Sequence, residues 1–238
     1  MNNSGLIKSA IRTRIKICGL KTAEHVDVAI DSGADALGFV LYRPSIRAID
    51  LAHLSDLTGR VPAFVATVAL FVNPTNEEVQ AALAAARIDL LQFHGDEPEA
   101  FCASFGRPYL KALPVTETFD LLQSSVKYAT ASALLLDAPS AGHGGSGKTF
   151  NWQLINTTNT EQGRASLHGA TAPRLVLSGG LTAANVADAI RSVNPFAVDV
   201  SSGVEVSRGE KSTELILQFC ATVHAANVPA QLQIFDAD

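Results

Sequence analysis

Short apolar runs, each closing on a small or polar residue, recur along the chain with amphipathic stretches between them. The first is Ile15 to Cys18. It is followed by helically spaced apolar positions over Ala23 to Ser32 and by a second run at Ala36 to Leu41, the pattern of a strand–helix–strand unit. Further runs occupy Thr67 to Val72, Leu90 to His94, Tyr109 to Leu113, Ala133 to Asp137, Leu175 to Ser178 and Ala197 to Val200. The spacing between them predicts helices over Leu51 to Gly59, Asn76 to Ala86, Glu97 to Phe105, Glu117 to Val126, Trp152 to Ile155, Ala183 to Ser192 and Ser212 to Ala225. The runs are apolar at consecutive positions rather than alternating, as strands are when helices cover one face and a closed interior fills the other. Eight such units in 238 residues fit a single-domain (β/α)8 barrel of the α/β class. A doubly wound open sheet is the competing architecture, because periodicity carries no information about closure. The predicted barrel spans residues 14–226, with residues 1–13 as an N-terminal arm and 227–238 as a C-terminal tail. Polar Asn156 to Pro173 reads as a surface loop.

Composition narrows the function. A chain that is 47% hydrophobic and 17% charged can bury a substantial core. A formal net charge of -5 offers no basic field, so nucleic acid is not an expected partner. No apolar run approaches the roughly 18 residues of a membrane span, and Met1 to Arg14 lacks the apolar centre of a signal peptide. The expected location is the cytoplasm, with no membrane partner. Cys18, Cys102 and Cys220 are far apart and show neither CxxC nor His spacing, so no disulfide framework and no metal site is expected.

Polar residues gather where the runs end: Cys18, His94, Asp137, Ser178, and Ser201 just after the last run. In a parallel barrel these ends share one face, where active sites are built. Singly, each has a plainer reading. A strand-end Cys is commonly a small core residue, a strand-end Asp a loop anchor, and a loop His a satisfied polar group. Leu177-Ser178-Gly179-Gly180 and Val198-Asp199-Val200-Ser201-Ser202-Gly203 are junctions where backbone N–H groups can approach a phosphate. Alternation adds a further expectation. If Cys18 and Ser201 point inward, so do Lys16 and Asp199, and closure of the barrel sets them side by side as a buried ion pair.

Gly142-His143-Gly144-Gly145-Ser146-Gly147-Lys148-Thr149 satisfies the nucleotide-binding P-loop pattern, making an NTPase the rival enzyme class. That motif requires a long helix directly after Lys148-Thr149, and Phe150-Asn151-Trp152 is a poor start for one. The other reading is a flexible loop over a substrate, with Lys148 facing either the substrate or solvent.

Lys16-Ile17-Cys18-Gly19, Gly33 to Val40, Gln92 to Glu97, Gly144 to Trp152 and Val198 to Glu205 together resemble the ordered blocks of the phosphoribosylanthranilate isomerase family. The resemblance implies a (β/α)8 barrel that converts N-(5'-phosphoribosyl)anthranilate to 1-(2-carboxyphenylamino)-1-deoxyribulose 5-phosphate in tryptophan biosynthesis. This is an Amadori rearrangement that uses no cofactor. Position by position, it implies Cys18 as general base, Asp137 as general acid and Arg47 as the ligand of the anthranilate carboxylate. Arg43 is the alternative cation, since Tyr42-Arg43-Pro44-Ser45-Ile46-Arg47 departs from the commoner Pro-Lys-Ser-x-Arg loop. His94 is placed to bond the substrate or Asp137. Gly179, Gly180, Ser201, Ser202 and Gly203 are the implied phosphate contacts. The implied partner is a small phosphorylated substrate, and the chain is expected as a monomer or homodimer. With reference pKa values of about 3.9 and 8.5, a free carboxyl and a free thiol have the wrong charges for these roles. Asp137 is expected to be kept neutral by an apolar mouth, and Cys18 to be pushed toward thiolate by donors or positive charge. Other readings are an indole-glycerol-phosphate synthase, an aminoaldose isomerase of histidine synthesis, and an inactive barrel serving as a binding module. The first needs a lysine where Cys18 stands, the second a pair of aspartates, and the third gives no account of Cys18 with Asp137.

Overall fold

The computed structural model describes residues 12–139, 149–156 and 174–228. Nearly all of the expected arm and tail, the P-loop-like segment up to Lys148 and the polar loop 157–173 lie outside the described residues. Eight parallel strands, β1 (Arg14–Cys18), β2 (Ala36–Val40), β3 (Ala66–Phe71), β4 (Leu90–Phe93), β5 (Tyr109–Pro114), β6 (Ala133–Asp137), β7 (Arg174–Leu177) and β8 (Ala197–Val200), pair in chain order. β8 returns to pair with β1, so the sheet is a closed barrel and not a doubly wound one. Around it lie α1 (Ala23–Asp31), α2 (Leu51–Gly59), α3 (Asn76–Ala85), α4 (Glu99–Ala103), α5 (Leu121–Lys127), α6 (Gln153–Asn156), α7 (Val186–Val193) and α8 (Thr213–Ala226).

Strand alternation sorts side chains between two cores. On β6, Leu134 and Leu136 face the helix layer, while Ala133 and Leu135 fill the barrel with Val68, Leu110, Ala112, Val176 and Ala197. Nearer the top, Cys18, Val40, Leu70 and Val72 form a small interior cluster. Helix starts follow local chemistry. Thr22 caps α1, Asp50 caps α2, and Thr75 with Glu78 closes a reciprocal capping box on α3, each such cap contributing about 1 kcal/mol.

Three expected helices begin later than the apolar spacing indicates. α4 starts at Glu99 rather than Glu97, because Pro98 occupies the N-cap and the Glu97 carboxylate is turned inward onto Lys111 Nζ at 2.8 Å. α5 starts at Leu121 rather than Glu117, where Asp120 accepts from Gln123 N–H. α7 likewise starts at Val186 rather than Ala183. One hairpin was not anticipated: after a 3-10 turn at Ser202–Val204, β9 (Glu205–Ser207) pairs antiparallel with β10 (Glu210–Lys211). The P-loop reading fails on its own requirement. From Thr149 to Trp152 the chain is not helical, Phe150 and Trp152 pack on the core, and α6 begins at Gln153 rather than directly after the Lys-Thr pair.

The ends of the barrel are clasped. Thr13 N–H donates to Asn227 Oδ1 at 2.8 Å and Asn227 Nδ2 donates to Thr13 O at 3.1 Å. At the β1/β8 seam Lys16 lies in register with Asp199, their charged groups 2.7 Å apart, as alternation predicts. Both side chains are buried, and Ser178 Oγ donates to the second Asp199 oxygen at 3.1 Å. Removing one partner of such a pair strands a charge. Lys16→Met should therefore lower the free energy of unfolding by about 3–5 kcal/mol, and adding Asp199→Leu should recover a large part of it. Urea midpoints read both. An equal loss in the single and double variants would show that the pair does not hold the seam.

Candidate active site

The strand ends meet around a cavity of about 240 Å³ at the C-terminal mouth of the barrel. Its wall includes Cys18 from β1, the loop after β2 from Tyr42 to Arg47, Gln92 and His94 from β4, Asp137 from β6, and Ser178, Asp199 and Ser201 from the last two strands. Of the residues expected from sequence, Cys18, Arg47, His94, Asp137 and Ser201 are brought together here. Arg43 is exposed and does not line the wall. Gly179, Gly180, Ser202 and Gly203 adjoin the cavity without lining it. They form a tight junction between the loops after β7 and β8. A Cβ on Gly203 would stand 1.8 Å from Leu181 O. Gly179, at φ +83°, would bring one to 2.6 Å from Ala138 N.

The environment of Cys18 corrects one expectation. Its thiol is pushed above its ordinary range, not below it. Burial is the largest cause, Lys16 opposes it, and the Asp199 charge adds to it. The physical reason is burial, which the Lys16 ammonium, itself held by Asp199, does not overcome. Lys211 and Arg47 are further cations whose charge is felt at the thiol.

Asp137 is held by a backbone donor and lies beside an imidazole rather than in an apolar mouth. Ala138 N–H donates to Oδ1 at 2.8 Å, and His94 Nε2 lies 3.3 Å from Oδ2. Gln92 Nε2 stands 3.2 Å from His94 Nδ1. With the amide donating there, the imidazole carries its proton on Nε2, the ring nitrogen nearer Asp137. Gln92 Oε1 is buried without a partner among the described residues. His94 thus lies beside the Asp137 carboxylate, and Gln92 was not identified from sequence.

At the rim, Arg47 is already engaged. Its Nε and Nη2 donate to the two oxygens of Glu205 at 2.6 and 2.7 Å, and Lys211 Nζ donates to Glu205 Oε1 at 2.9 Å. Lys211 also reaches Ser201 O at 2.8 Å and Ser201 Oγ at 3.2 Å. Burial alone would raise the Glu205 carboxyl, but Arg47, Lys211 and the Gly209 N–H outweigh it and hold it at about 2. Sequence reasoning missed Glu205 and Lys211. The available signal was the pair of short polar runs around Arg208-Gly209, which mark a hairpin. Among the described residues no cluster of three or more His, Cys, Asp or Glu could hold a metal ion.

Comparison with known proteins gives one consistent answer. The family model described as N-(5'phosphoribosyl)anthranilate (PRA) isomerase matches residues 15–222. The N-(5'-phosphoribosyl)anthranilate isomerase of Methylibium petroleiphilum is 49% identical over 217 residues, covering 91% of this chain and 96% of that protein. The enzyme of that name from Dechloromonas aromatica is 47% identical over 217 residues, covering 91% and 99%. Among solved structures, phosphoribosyl anthranilate isomerase from Thermotoga maritima is similar with a TM-score of 0.77 and 35% identity, covering 90% of this chain and 99% of that one. A phosphoribosyl anthranilate isomerase in complex with reduced 1-(o-carboxyphenylamino)-1-deoxyribulose 5-phosphate has a TM-score of 0.75 and 33% identity over the same shares.

The Glu205 hub has a measurable signature. A carboxyl whose folded pKa is depressed to about 2 from the ordinary 4.5 stabilises the fold above 4.5 and loses that contribution as pH falls toward 2. Glu205→Gln should therefore be less stable than the parent at pH 7, with the gap narrowing as urea midpoints are taken from pH 5 downward. A gap independent of pH would mean that the carboxylate charge is not what holds Arg47 and Lys211.

Proposed function

The chain belongs to the N-(5'-phosphoribosyl)anthranilate isomerase family, and from that premise we propose how its barrel mouth carries out the family's Amadori rearrangement. The substrate is an aminofuranose, N-(5'-phosphoribosyl)anthranilate. The product is 1-(2-carboxyphenylamino)-1-deoxyribulose 5-phosphate, as in tryptophan biosynthesis. The observation that carries the assignment of roles is the convergence on a single cavity of a thiol, Cys18, from β1 and a carboxyl, Asp137, from β6, the wall's other carboxyl, Asp199, being held by Lys16.

Asp137 protonates the ring oxygen, the C1'–O bond breaks, and the nitrogen lone pair completes an iminium. His94 holds the Asp137 carboxyl facing the cavity. The iminium makes the C2' hydrogen acidic, and Cys18 removes it to give an enolamine, which tautomerises to the ketone with a proton added at C1'. Every transfer is of a proton between a side chain and the substrate, so the chemistry asks for no cofactor. Burial pushes the Cys18 thiol up, and a neutral thiol cannot accept the C2' hydrogen. The cation formed by ring opening lies next to C2' and favours release of the thiol proton to solvent, after which the thiolate takes the C2' proton. Arg47, with the edge of its guanidinium not used by Glu205, receives the anthranilate carboxylate. The junction of Gly179, Gly180, Ser201, Ser202 and Gly203 receives the phosphate. The catalytic unit on this reading is residues 14–226, working in the cytoplasm as a monomer or homodimer. One solved relative, from Thermotoga maritima, is described as dimeric. No helix among the described residues is long and apolar enough to cross a membrane.

Loss of phosphoribosylanthranilate fluorescence on addition of the purified protein tests the activity, and should survive a chelator and need no nucleotide. Cys18→Ser should slow turnover by about 10²-fold or more, since a hydroxyl is far too weak a base, and Asp137→Asn should be comparably damaging. On an analogue whose sugar chain is already open, Asp137→Asn should regain much of its rate while Cys18→Ser stays slow. Equal rescue of both would reverse the assignment. Arg47→Ala should raise KM more than it lowers kcat, because a carboxylate contact is made in ground and transition states alike.

A further inference from the structure

Arg208 is a cation at the cavity mouth that the mechanism leaves unused. It lies in the turn of the β9–β10 hairpin and lines the same wall as Tyr42, Pro44, Ile46 and Arg47. An exposed arginine is ordinarily a solvated surface group. Its surroundings set this one apart. No carboxylate among the described residues lies within ion-pair distance of it, since Glu205 is taken by Arg47 and Lys211 and Glu210 accepts from Ser207. The backbone that carries it is held in place, with Gly209 N–H donating to Glu205 Oε2 at 3.0 Å and Lys211 Nζ donating to Ser201 O at 2.8 Å.

Arg47, the other arginine of this wall, presents only part of its capacity. Glu205 occupies its Nε–Nη2 edge, leaving Nη1 and the second Nη2 hydrogen for a ligand. The same carboxylate offsets much of its charge. Arg208 therefore adds a cation with no carboxylate of its own to a rim where Arg47 and Lys211 share the single carboxylate of Glu205. Tyr42, Pro44 and Ile46 beside it supply the flat apolar surface that an aromatic ring needs.

We propose that Arg208 is the second arm of the carboxylate subsite: together with the open edge of Arg47 it clamps the carboxylate of the substrate's aromatic amine, and Glu205, bonded to Arg47 and to the amide beside Arg208, sets the spacing of the arms. The proposal rests on the isomerase reading and adds to it a residue that determines specificity. The carboxylate is the anion chosen over the phosphate because the glycine junction suited to phosphate lies outside this wall, in the loops after β7 and β8.

The test compares two stable ligands on the full chain by calorimetry: reduced 1-(o-carboxyphenylamino)-1-deoxyribulose 5-phosphate, and the same compound with a plain phenyl ring. Inorganic phosphate is the third probe. Arg208→Ala should weaken the carboxylated ligand by roughly 10-fold or more and leave the phenyl compound and phosphate within about twofold, with Arg208→Lys recovering part of the loss. An equal loss for both organic ligands, a loss confined to phosphate, or no loss for any of the three overturns the clamp. If the carboxylated ligand shows this pattern while phosphoribosylanthranilate is not turned over, the clamp stands and the isomerase reading falls. If that ligand does not bind the parent protein at all, both fall.

Discussion

The barrel is joined by one buried ion pair. β1 and β8 are the first and last strands, and their register sets Lys16 opposite Asp199 inside the sheet. Neither charge is tolerable there alone, so each requires the other, and the requirement is met only when the ring has closed. The pair also borders the chemistry above it. Cys18 is two residues from Lys16 on the same inward face, where burial pushes its thiol up, Lys16 pulls it down and Asp199 adds to the rise.

The same device recurs in the loops. Glu97 accepts from Lys111, Asn73 N–H and Gly95 N–H, tying the loop after β3 to the loop after β4 beside His94. Glu205 accepts from Arg47, Lys211 and Gly209 N–H, tying the loop after β2 to the hairpin after β8. Strands set where a side chain starts, but loops would leave its far end loose. A buried carboxylate with several donors fixes that end, which is what a site needing atomic positioning demands.

Much of this was legible in the chain. Period-two alternation is a local rule, so Ile15 to Cys18 and Ala197 to Val200 together gave the Lys16–Asp199 contact before any coordinates, and the count of units gave the barrel. Strand ends located Cys18, His94 and Asp137. The errors arose where a contact distant in sequence overrides a local pattern. Apolar spacing ran α4 back to Glu97, because nothing nearby signals that this carboxylate belongs to Lys111. Arg47 was read as a free rim cation, since its partner Glu205 lies 158 residues away. The sign of the shift on Cys18 was misjudged for a related reason: positive charge does act on the thiol, but the desolvation that outweighs it comes from packing between strands that no single stretch of sequence displays.

The clasp between Thr13 and Asn227 carries a consequence of a different kind. Its two hydrogen bonds place the start of β1 against the residue after α8, so the ring is complete in space where it is broken in covalent chain. Going round the barrel, every strand has two neighbours, and nothing in the pairing marks β1 as first. A chain whose residues on either side of the clasp were joined by a short peptide, and which was opened instead between another helix and strand, would meet the same neighbours in the same order. In this molecule the beginning of the polypeptide is a matter of genetics rather than of mechanics.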